Sequence, residues 1–429
     1  MEKRVVITGL GVVAPNAVEV SQFESALRDG LSGIEKSAML EELNFGCQIV
    51  GIPKYNPDDL KKIVPKSLLI KLENEAIKYS CLAGTEAWKD AGLKFTSRDS
   101  EPDWDSGIVF GVGTLAMDGF ISGKLKYVDS GNTRKGGPRV VEQSMNSGAA
   151  TYINEILGLG NVVTSNSSAC ATGTEAIIQG YERIKSGKAS KMLCGSCESQ
   201  GKYIWGAFDG MRILCNDSND NPTNGSRPMS ANARGFVPGA GAGALVLEEL
   251  ESALSRNAKI YGEIVGGDVN SGGQRNGGSI TAGSSIATIR CIKATLEQSG
   301  IDASEIDLIS GHLTATIADA KEIENWAIAL DRKGDDFPYI NAPKSMIGHC
   351  IGASGSIEMV GVVLQLYKGF IHPTINIEEL HPDILKVINE NKVPRKVIEH
   401  KLNYVIKASF GFGDVNSCII LKKWNENGR

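Results

Sequence analysis

The sequence predicts an α/β protein assembled from two halves of similar plan, residues 1–255 and 256–429. Three observations carry that expectation. Glycine is abundant, at 50 residues, and its placement punctuates both halves alike. Strand-like and helix-like segments recur in the same order in each half. Two helical segments also run over the same interval, Gly173 to Gly187 and Gly355 to Gly369.

In chain order, Val5-Val6-Ile7-Thr8 runs into Gly9-Leu10-Gly11, and Ile260 to Val269 opens the second half in the same way, as a strand meeting a glycine turn. Gly107 to Thr114 and Asp307 to Thr314 are paired apolar strands that end in small residues. After Cys170, the residues Ile177, Tyr181 and Ile184 recur at helical spacing; after His349, Ile357, Val360, Leu364 and Tyr367 do so. Lys191 to Cys194 and Tyr404 to Lys407 are the closing strands. Alternation of strands and helices predicts parallel sheets covered on both faces, and duplication predicts two of them related by pseudo-symmetry. The helix after His349 is apolar on nearly every side, through Val360, Val362, Val363 and Leu366, as befits a helix lying between two sheets. On this reading Cys170 and His349 occupy equivalent helix starts and meet at one pocket, although about 180 residues apart.

Composition narrows the class. The chain has 429 residues, 41% hydrophobic and 22% charged, with a formal net charge of −5, which disfavours nucleic acid as a partner. No apolar run is long enough to cross a bilayer, and Met1 to Arg4 leads straight into a strand, so a cytoplasmic protein is expected. Nine cysteines, an odd number, read as reduced thiols. Cys194 and Cys197 have C-x-x-C spacing without a second such pair, so no metal site is expected.

Cys170 lies in Asn166-Ser167-Ser168-Ala169-Cys170-Ala171-Thr172-Gly173, where an extended segment becomes a helix. Unpaired backbone N–H groups and the helix dipole favour thiolate there, which makes Cys170 the candidate nucleophile with a lowered pKa. Of five histidines, His312 ends a strand and His349 precedes the apolar helix; both suit neutral N–H donors that stabilise an enolate beside a thioester. Lys344, five residues before His349, is placed to orient these groups electrostatically.

These segments together resemble the β-ketoacyl-acyl-carrier-protein synthases, elongating condensing enzymes with the thiolase fold, whose five layers run αβαβα. The resemblance spans Thr8 to Pro15, Gly30 to Ile34, Ser168 to Gly173, Arg227-Pro228, Gly235 to Val237, Gly239 to Gly243, Asn341 to Gly355 and Phe410 to Gly413. It implies decarboxylative condensation of malonyl carrier protein with an acyl chain carried on Cys170. His312 and His349 would promote decarboxylation, with Lys344 as support. The N–H groups of Cys170 and Phe412 would form the oxyanion hole and the Phe412 ring would gate the thiol. Thr314 and Thr316 match pantetheine contacts, and Met117, Phe120 and Met145 are candidate acyl-tunnel residues. Lys62, Lys66 and Lys71 offer a basic face for an acidic acyl carrier protein.

No metal or redox cofactor is implied, and the expected assembly is a homodimer, or a heterodimer with a paralogue. Leu313, Asp414, Ala233 and Ala240 depart from the family pattern, which points to a divergent synthase of a polyene or polyketide-like pathway. A chain-length-factor-like subunit without catalysis is the alternative, and Cys170 argues against it. A thiolase would need a second cysteine, for which Cys350 and Cys418 are the candidates.

Overall fold

A ten-stranded mixed sheet runs through the computed structural model, which describes residues 2–70, 72–115 and 117–425. The first half supplies β1 (Val5–Val13), β2 (Ser106–Val112), β3 (Val163–Thr164), β4 (Lys191–Glu198) and β5 (Gly241–Glu249). The second supplies β6 (Gly262–Ser271), β7 (Leu308–Ser310), β8 (Tyr339–Asn341), β9 (Tyr404–Gly411) and β10 (Val415–Lys423). Read outward from the middle, the orders are β1-β5-β4-β2-β3 and β6-β10-β9-β7-β8, so each half repeats the other strand for strand. The halves join where β1 pairs antiparallel with β6 over Val5↔Ile264, Val6↔Glu263 and Ile7↔Gly262.

The sheets are not purely parallel as the strand-helix alternation predicts. Within each half β4-β2-β3 and β9-β7-β8 are parallel, whereas β5 and β10 run antiparallel to both neighbours. The cause is visible at β9 and β10, which are joined by a tight turn between Gly411 and Val415 and so can only be antiparallel.

Among the helices that make the layers are α1 (Glu75–Asp90), α2 (Thr172–Lys185), α3 (Ser285–Ser299), α4 (Ala318–Leu330) and α5 (Ser354–Lys368). One core packs α1 residues such as Ile77, Ala83 and Trp88 against Ile108, Phe110 and Val246. A second packs α3 and α4 residues such as Ile292 and Trp326 against Ile309, Ile406 and Ile420. Between them lies the largest, where Ile177 and Ile184 of α2 and Ile357, Val360 and Val363 of α5 meet strands of both halves. The order is therefore helix, sheet, helix, sheet, helix. Every α5 residue from Ser354 to Leu366 is buried, as its apolar residues on nearly every side require.

The two central helices touch backbone to backbone. A Cβ on Gly173 would lie 2.4 Å from the Ser356 nitrogen, and one on Gly355 would lie 2.6 Å from the Thr174 nitrogen. With Gly173 and Gly355 as counterparts, the turns before them also match: Ala169 and Ile351 both adopt left-handed backbone, φ 49° and 47°. The counterpart of Cys170 is thus Gly352, and His349 sits three residues further from its helix than the sequence reading supposes. That offset carries the imidazole across the crossing to face the thiol. Among the described residues no helix is long and apolar enough to cross a membrane.

Candidate active site

Cys170 occupies a 3₁₀ turn, Ala169–Ala171, that leads into α2. A short network holds the turn: Thr172 Oγ1 donates to the Ala169 carbonyl at 2.7 Å and accepts from the Ser168 N–H at 2.9 Å. Left-handed backbone at Ala169, a residue with a Cβ, costs roughly 1 kcal/mol and turns the next side chain away from the helix. Of nine free cysteines, eight are buried and Cys170 alone is partly exposed. The helix start does not leave it a resident thiolate. Burial pushes the thiol up to about 11, outweighing the Lys344 charge and the Phe412 N–H that favour the anion. Desolvation acts on the whole sulfur, whereas these partners compensate only in part.

His349 Nε2 lies 3.2 Å from Cys170 Sγ. Its other nitrogen, Nδ1, receives the Ile351 backbone N–H at 3.2 Å and lies 2.8 Å from Ser354 Oγ. A backbone N–H can only donate, so Nδ1 is an acceptor and the proton of the neutral ring is on Nε2, aimed at the sulfur. The His312 ring stands edge-on to His349 with centroids 5.4 Å apart, and its Nδ1 is buried with no hydrogen-bond partner among the described residues. The sulfur and one nitrogen from each histidine lie within 4.8 Å of one another. Burial first, and then the charges of Lys344 and Lys407, hold both imidazoles well below the usual histidine range, so they are neutral.

Two buried carboxylates on α4 shape the loop after β7. Glu322 accepts the N–H groups of His312 at 2.6 Å and Leu313 at 2.8 Å, and Asp319 accepts those of Thr314 at 2.8 Å and Ala315 at 3.1 Å. These bonds support left-handed backbone at Leu313 and Ala315, φ 22° and 62°. Leu313, a departure from the family glycine, is fully buried in the second-half core and lies over Gly311. Thr314 and Thr316 share a 3.0 Å hydroxyl contact at the partly exposed rim of this loop.

Beneath the histidines lies a buried ion cluster. Lys344 Nζ pairs with Glu358 Oε1, and Lys407 Nζ lies 2.8 Å from Glu358 Oε2. Burial opposes the Glu358 charge, but the two ammonium groups prevail and its pKa is lowered. On the other side Glu198, fully buried, accepts N–H bonds from Thr114 and Gly352, and burial raises it to about 7.

Phe412 tops the β9-β10 hairpin. Gly411 is packed so closely on the Cys170 turn that a Cβ would lie 2.7 Å from the Ser168 carbonyl oxygen and 3.2 Å from the Cys170 nitrogen, so only glycine brings the Phe412 N–H to the sulfur. The Phe412 ring meets Phe208 at 6.4 Å.

Comparisons with known proteins are of one kind. Residues 2–253 match the β-ketoacyl synthase N-terminal domain and residues 261–378 its C-terminal domain. The chain belongs to the β-ketoacyl synthase family. It is 33% identical to 3-oxoacyl-[acyl-carrier-protein] synthase 1 of Buchnera aphidicola, covering 98% of this chain and 100% of that one. Identity to the Escherichia coli synthase 1 is also 33%, over 98% and 99% of the two chains. Among solved structures, a β-ketoacyl synthase from Burkholderia phymatum superposes with a TM-score of 0.88 at 27% identity, over 99% of this chain and 100% of that one. A type II polyketide-synthase acyl-carrier protein in complex with its ketosynthase gives 0.85 at 28%, with the same coverage. The fold is that of these ketosynthases, and the chain is a β-ketoacyl-acyl-carrier-protein synthase, an acyltransferase.

Within this synthase, Asp414 follows Phe412-Gly413 in the turn between β9 and β10. It is fully buried with φ 61°, and its carboxylate accepts the N–H groups of Gln274 at 3.1 Å and Ser284 at 2.7 Å. Its side chain fills space that a Cβ on Gly272 or Gly278 would need. The carboxylate therefore fastens the tip of the β9-β10 hairpin to residues 272–284. Of the other two departures, Ala240 is buried in the first-half core and Ala233 is partly exposed.

Met117 packs near Ile351 and Trp205. Phe120 lines a cavity of about 40 Å³ with Asn74, Pro138 and Arg139, and Met145 is exposed. Lys62 is exposed but paired with Asp59 at 2.7 Å, Lys66 is exposed, and Lys71 lies outside the described residues. Cys350 and Cys418 are both buried, with burial pushing Cys418 up to about 12. On β4, Cys194 faces Gly180 of α2 whereas Cys197 reaches the Gly111 carbonyl, because residues three apart on a strand point to opposite faces.

Sequence reasoning missed Glu198, Glu322, Asp319, Glu358 and Lys407. For Glu358 and Lys407 a signal existed, an acid within the apolar helix Ser354–Lys368 and a lysine within the apolar strand Tyr404–Gly411.

Proposed function

We propose that this synthase carries its acyl chain on Cys170 and condenses it with malonyl carrier protein, residues 1–255 supplying the nucleophile and residues 256–429 the histidines, lysine and gate. The observation that carries this reading is the meeting of one sulfur and two neutral imidazoles within 4.8 Å. In the first stage Cys170 sulfur attacks the acyl thioester carbonyl; the oxyanion is held by the N–H groups of Cys170 and Phe412, and the departing pantetheine thiol takes up the thiol proton. In the second, the Nε2–H of His349 and an N–H of His312 bind the malonyl thioester oxygen. The carboxylate departs as carbon dioxide, and its bonding pair forms the enolate. That carbon attacks the acyl-enzyme carbonyl, the C–S bond breaks, and Cys170 sulfur leaves with the electron pair. A proton taken up from solvent returns the Cys170 thiolate to the thiol, and with that proton the thioesters and carbon dioxide balance without a cofactor.

An acyl carrier protein as substrate carrier is supported by the ketosynthase complex of similar fold, with Thr314 and Thr316 at the rim where pantetheine enters. Lys66 remains a docking candidate, whereas the charge of Lys62 is already met by Asp59. A dimer is supported by the exposed apolar side chains of Val128, Val141 and Met145, in the segment that holds the tunnel candidates. Fatty acid synthesis and polyketide-type synthesis in the cytoplasm both suit this chemistry, and Leu313 and Asp414 favour a specialised pathway. The test is product formation from malonyl and acyl carrier proteins. Cys170→Ala should abolish condensation while Cys170→Gln still releases carbon dioxide, and full condensation by Cys170→Ala refutes the reading.

A further inference from the structure

Lys407 is a buried charge that the reaction scheme leaves unused. Its side chain is wholly inaccessible, on β9 five residues before Phe412. Its Nζ donates to Ser409 Oγ at 3.1 Å and to the Ala408 carbonyl, and lies 2.8 Å from Glu358 Oε2 as an ion pair. An amine lone pair set 2.8 Å from a carboxylate oxygen would be repelled, so the contact fits the protonated form. Ser409 Oγ in turn lies 2.9 Å from Thr174 Oγ1, on the helix that begins beside Cys170. Lys344 has Glu358 Oε1 as its acceptor.

Two buried cations therefore share one carboxylate. Leaving a positive charge in excess in a dry compartment is costly, and removing it would be simple, because a methionine matches lysine in length and shape. The groups within reach of this charge are Glu358 on α5, Lys344, Glu322 on α4, Cys418 on β10 and the imidazoles of His312 and His349. Among the described residues Glu358 is the one acid that pairs with this ammonium, and it is shared with Lys344; Glu322, which burial raises to about 7, makes no ion pair with it.

We propose that Lys407 is a positioning residue: by holding one oxygen of Glu358 it divides that carboxylate between two ammonium groups, and gives the Lys344–Glu358–Lys407 cluster one positive charge in excess. That excess favours every anion the reaction passes through, the Cys170 sulfur, the tetrahedral oxyanion and the enolate, and disfavours imidazolium. The inference rests on the role given to Cys170 above, but its test needs no turnover. Failure of the unsubstituted protein to condense would count against that role and leave the following measurement intact.

The rate of Cys170 alkylation by iodoacetamide at pH 8, followed by mass spectrometry, reports the thiolate fraction. Lys407→Met should slow it about tenfold, the effect of one nearby charge at an effective dielectric of about 20. The double variant Lys407→Met with Glu358→Gln removes one charge of each sign and should return within about threefold of the unsubstituted rate. An unchanged or faster rate in Lys407→Met overturns the proposal, as does a double variant as slow as the single one. If Lys407→Met does not fold, the double variant alone decides: a tenfold slower rate overturns the proposal and near equality supports it.

Discussion

Gly173→Ala is the most informative packing perturbation, because it acts where the two halves touch. The added Cβ would lie 2.4 Å from the Ser356 nitrogen, 2.6 Å from Ser196 Oγ and 3.0 Å from the Gly355 carbonyl carbon. Ordinary contact begins near 3.4 Å, so α2 and α5 must separate by about 1 Å. Backbone in the middle of a close-packed core relaxes poorly, and overpacking of this kind costs about 1–3 kcal/mol. Cys170 precedes Gly173 by one helical turn and His349 precedes Gly355, so the same displacement opens the 3.2 Å sulfur-imidazole contact. A misplacement of about 1 Å lowers rate by as much as ~100-fold. The assays are thermal unfolding and condensation rate, with Gly187→Ala as control. Gly187, at the other end of the same helical segment, has φ 73° and no neighbour near its Cβ, so alanine there should cost about 1 kcal/mol of stability and no activity. A Gly173→Ala protein with rate within twofold and unchanged melting temperature refutes the reasoning, as does equal loss of activity in Gly187→Ala.

Two further outcomes follow from buried groups. Burial lowers His372 to about 4, so below the unfolded value of about 6.5 only the unfolded chain takes up the proton and stability is lost as pH falls. Glu198 and Glu322, raised to about 7, act in the opposite sense, which is why the contribution must be isolated by substitution. The stability gap between the unsubstituted protein and His372→Leu should narrow by roughly 1.4 kcal/mol between pH 7.5 and 5.5 in urea titrations, and a gap independent of pH contradicts the assignment. Asp414→Gly removes the acceptor for the Gln274 and Ser284 N–H groups. Hydrogen bonds to a carboxylate are worth ~1.5–3 kcal/mol, so amide exchange at these two positions should accelerate by at least ~10-fold; unchanged protection would show that the carboxylate does not fasten this loop.

Much of the architecture is legible in the chain because duplication is written twice. Equal spacing of Gly173 to Gly187 and Gly355 to Gly369 marks two central helices, and both Gly187 and Gly369 adopt the left-handed backbone that ends them. Strand direction was not legible, since an apolar run has no sense of direction until its turn is known; the glycines of Phe410 to Gly413 belong to a hairpin as much as to a gate. Cys170, His312 and His349 stand out because chemistry needs scarce residue types. Their supports do not, because Glu322, Glu358 and Lys407 resemble surface charges in one dimension and reveal themselves only by burial. The direction of the Cys170 pKa was misjudged for the same reason: the helix start is local in sequence, whereas desolvation is a property of the assembled halves.

The account depends on Cys170 being the one sulfur that can receive an acyl group. Incubation with an acyl carrier protein thioester, followed by peptide mapping by mass spectrometry, should find the acyl mass on the Cys170 peptide and on none of the eight buried cysteines. A protein that condenses while its adduct lies on another cysteine, or that condenses after Cys170 has been blocked, would contradict the account.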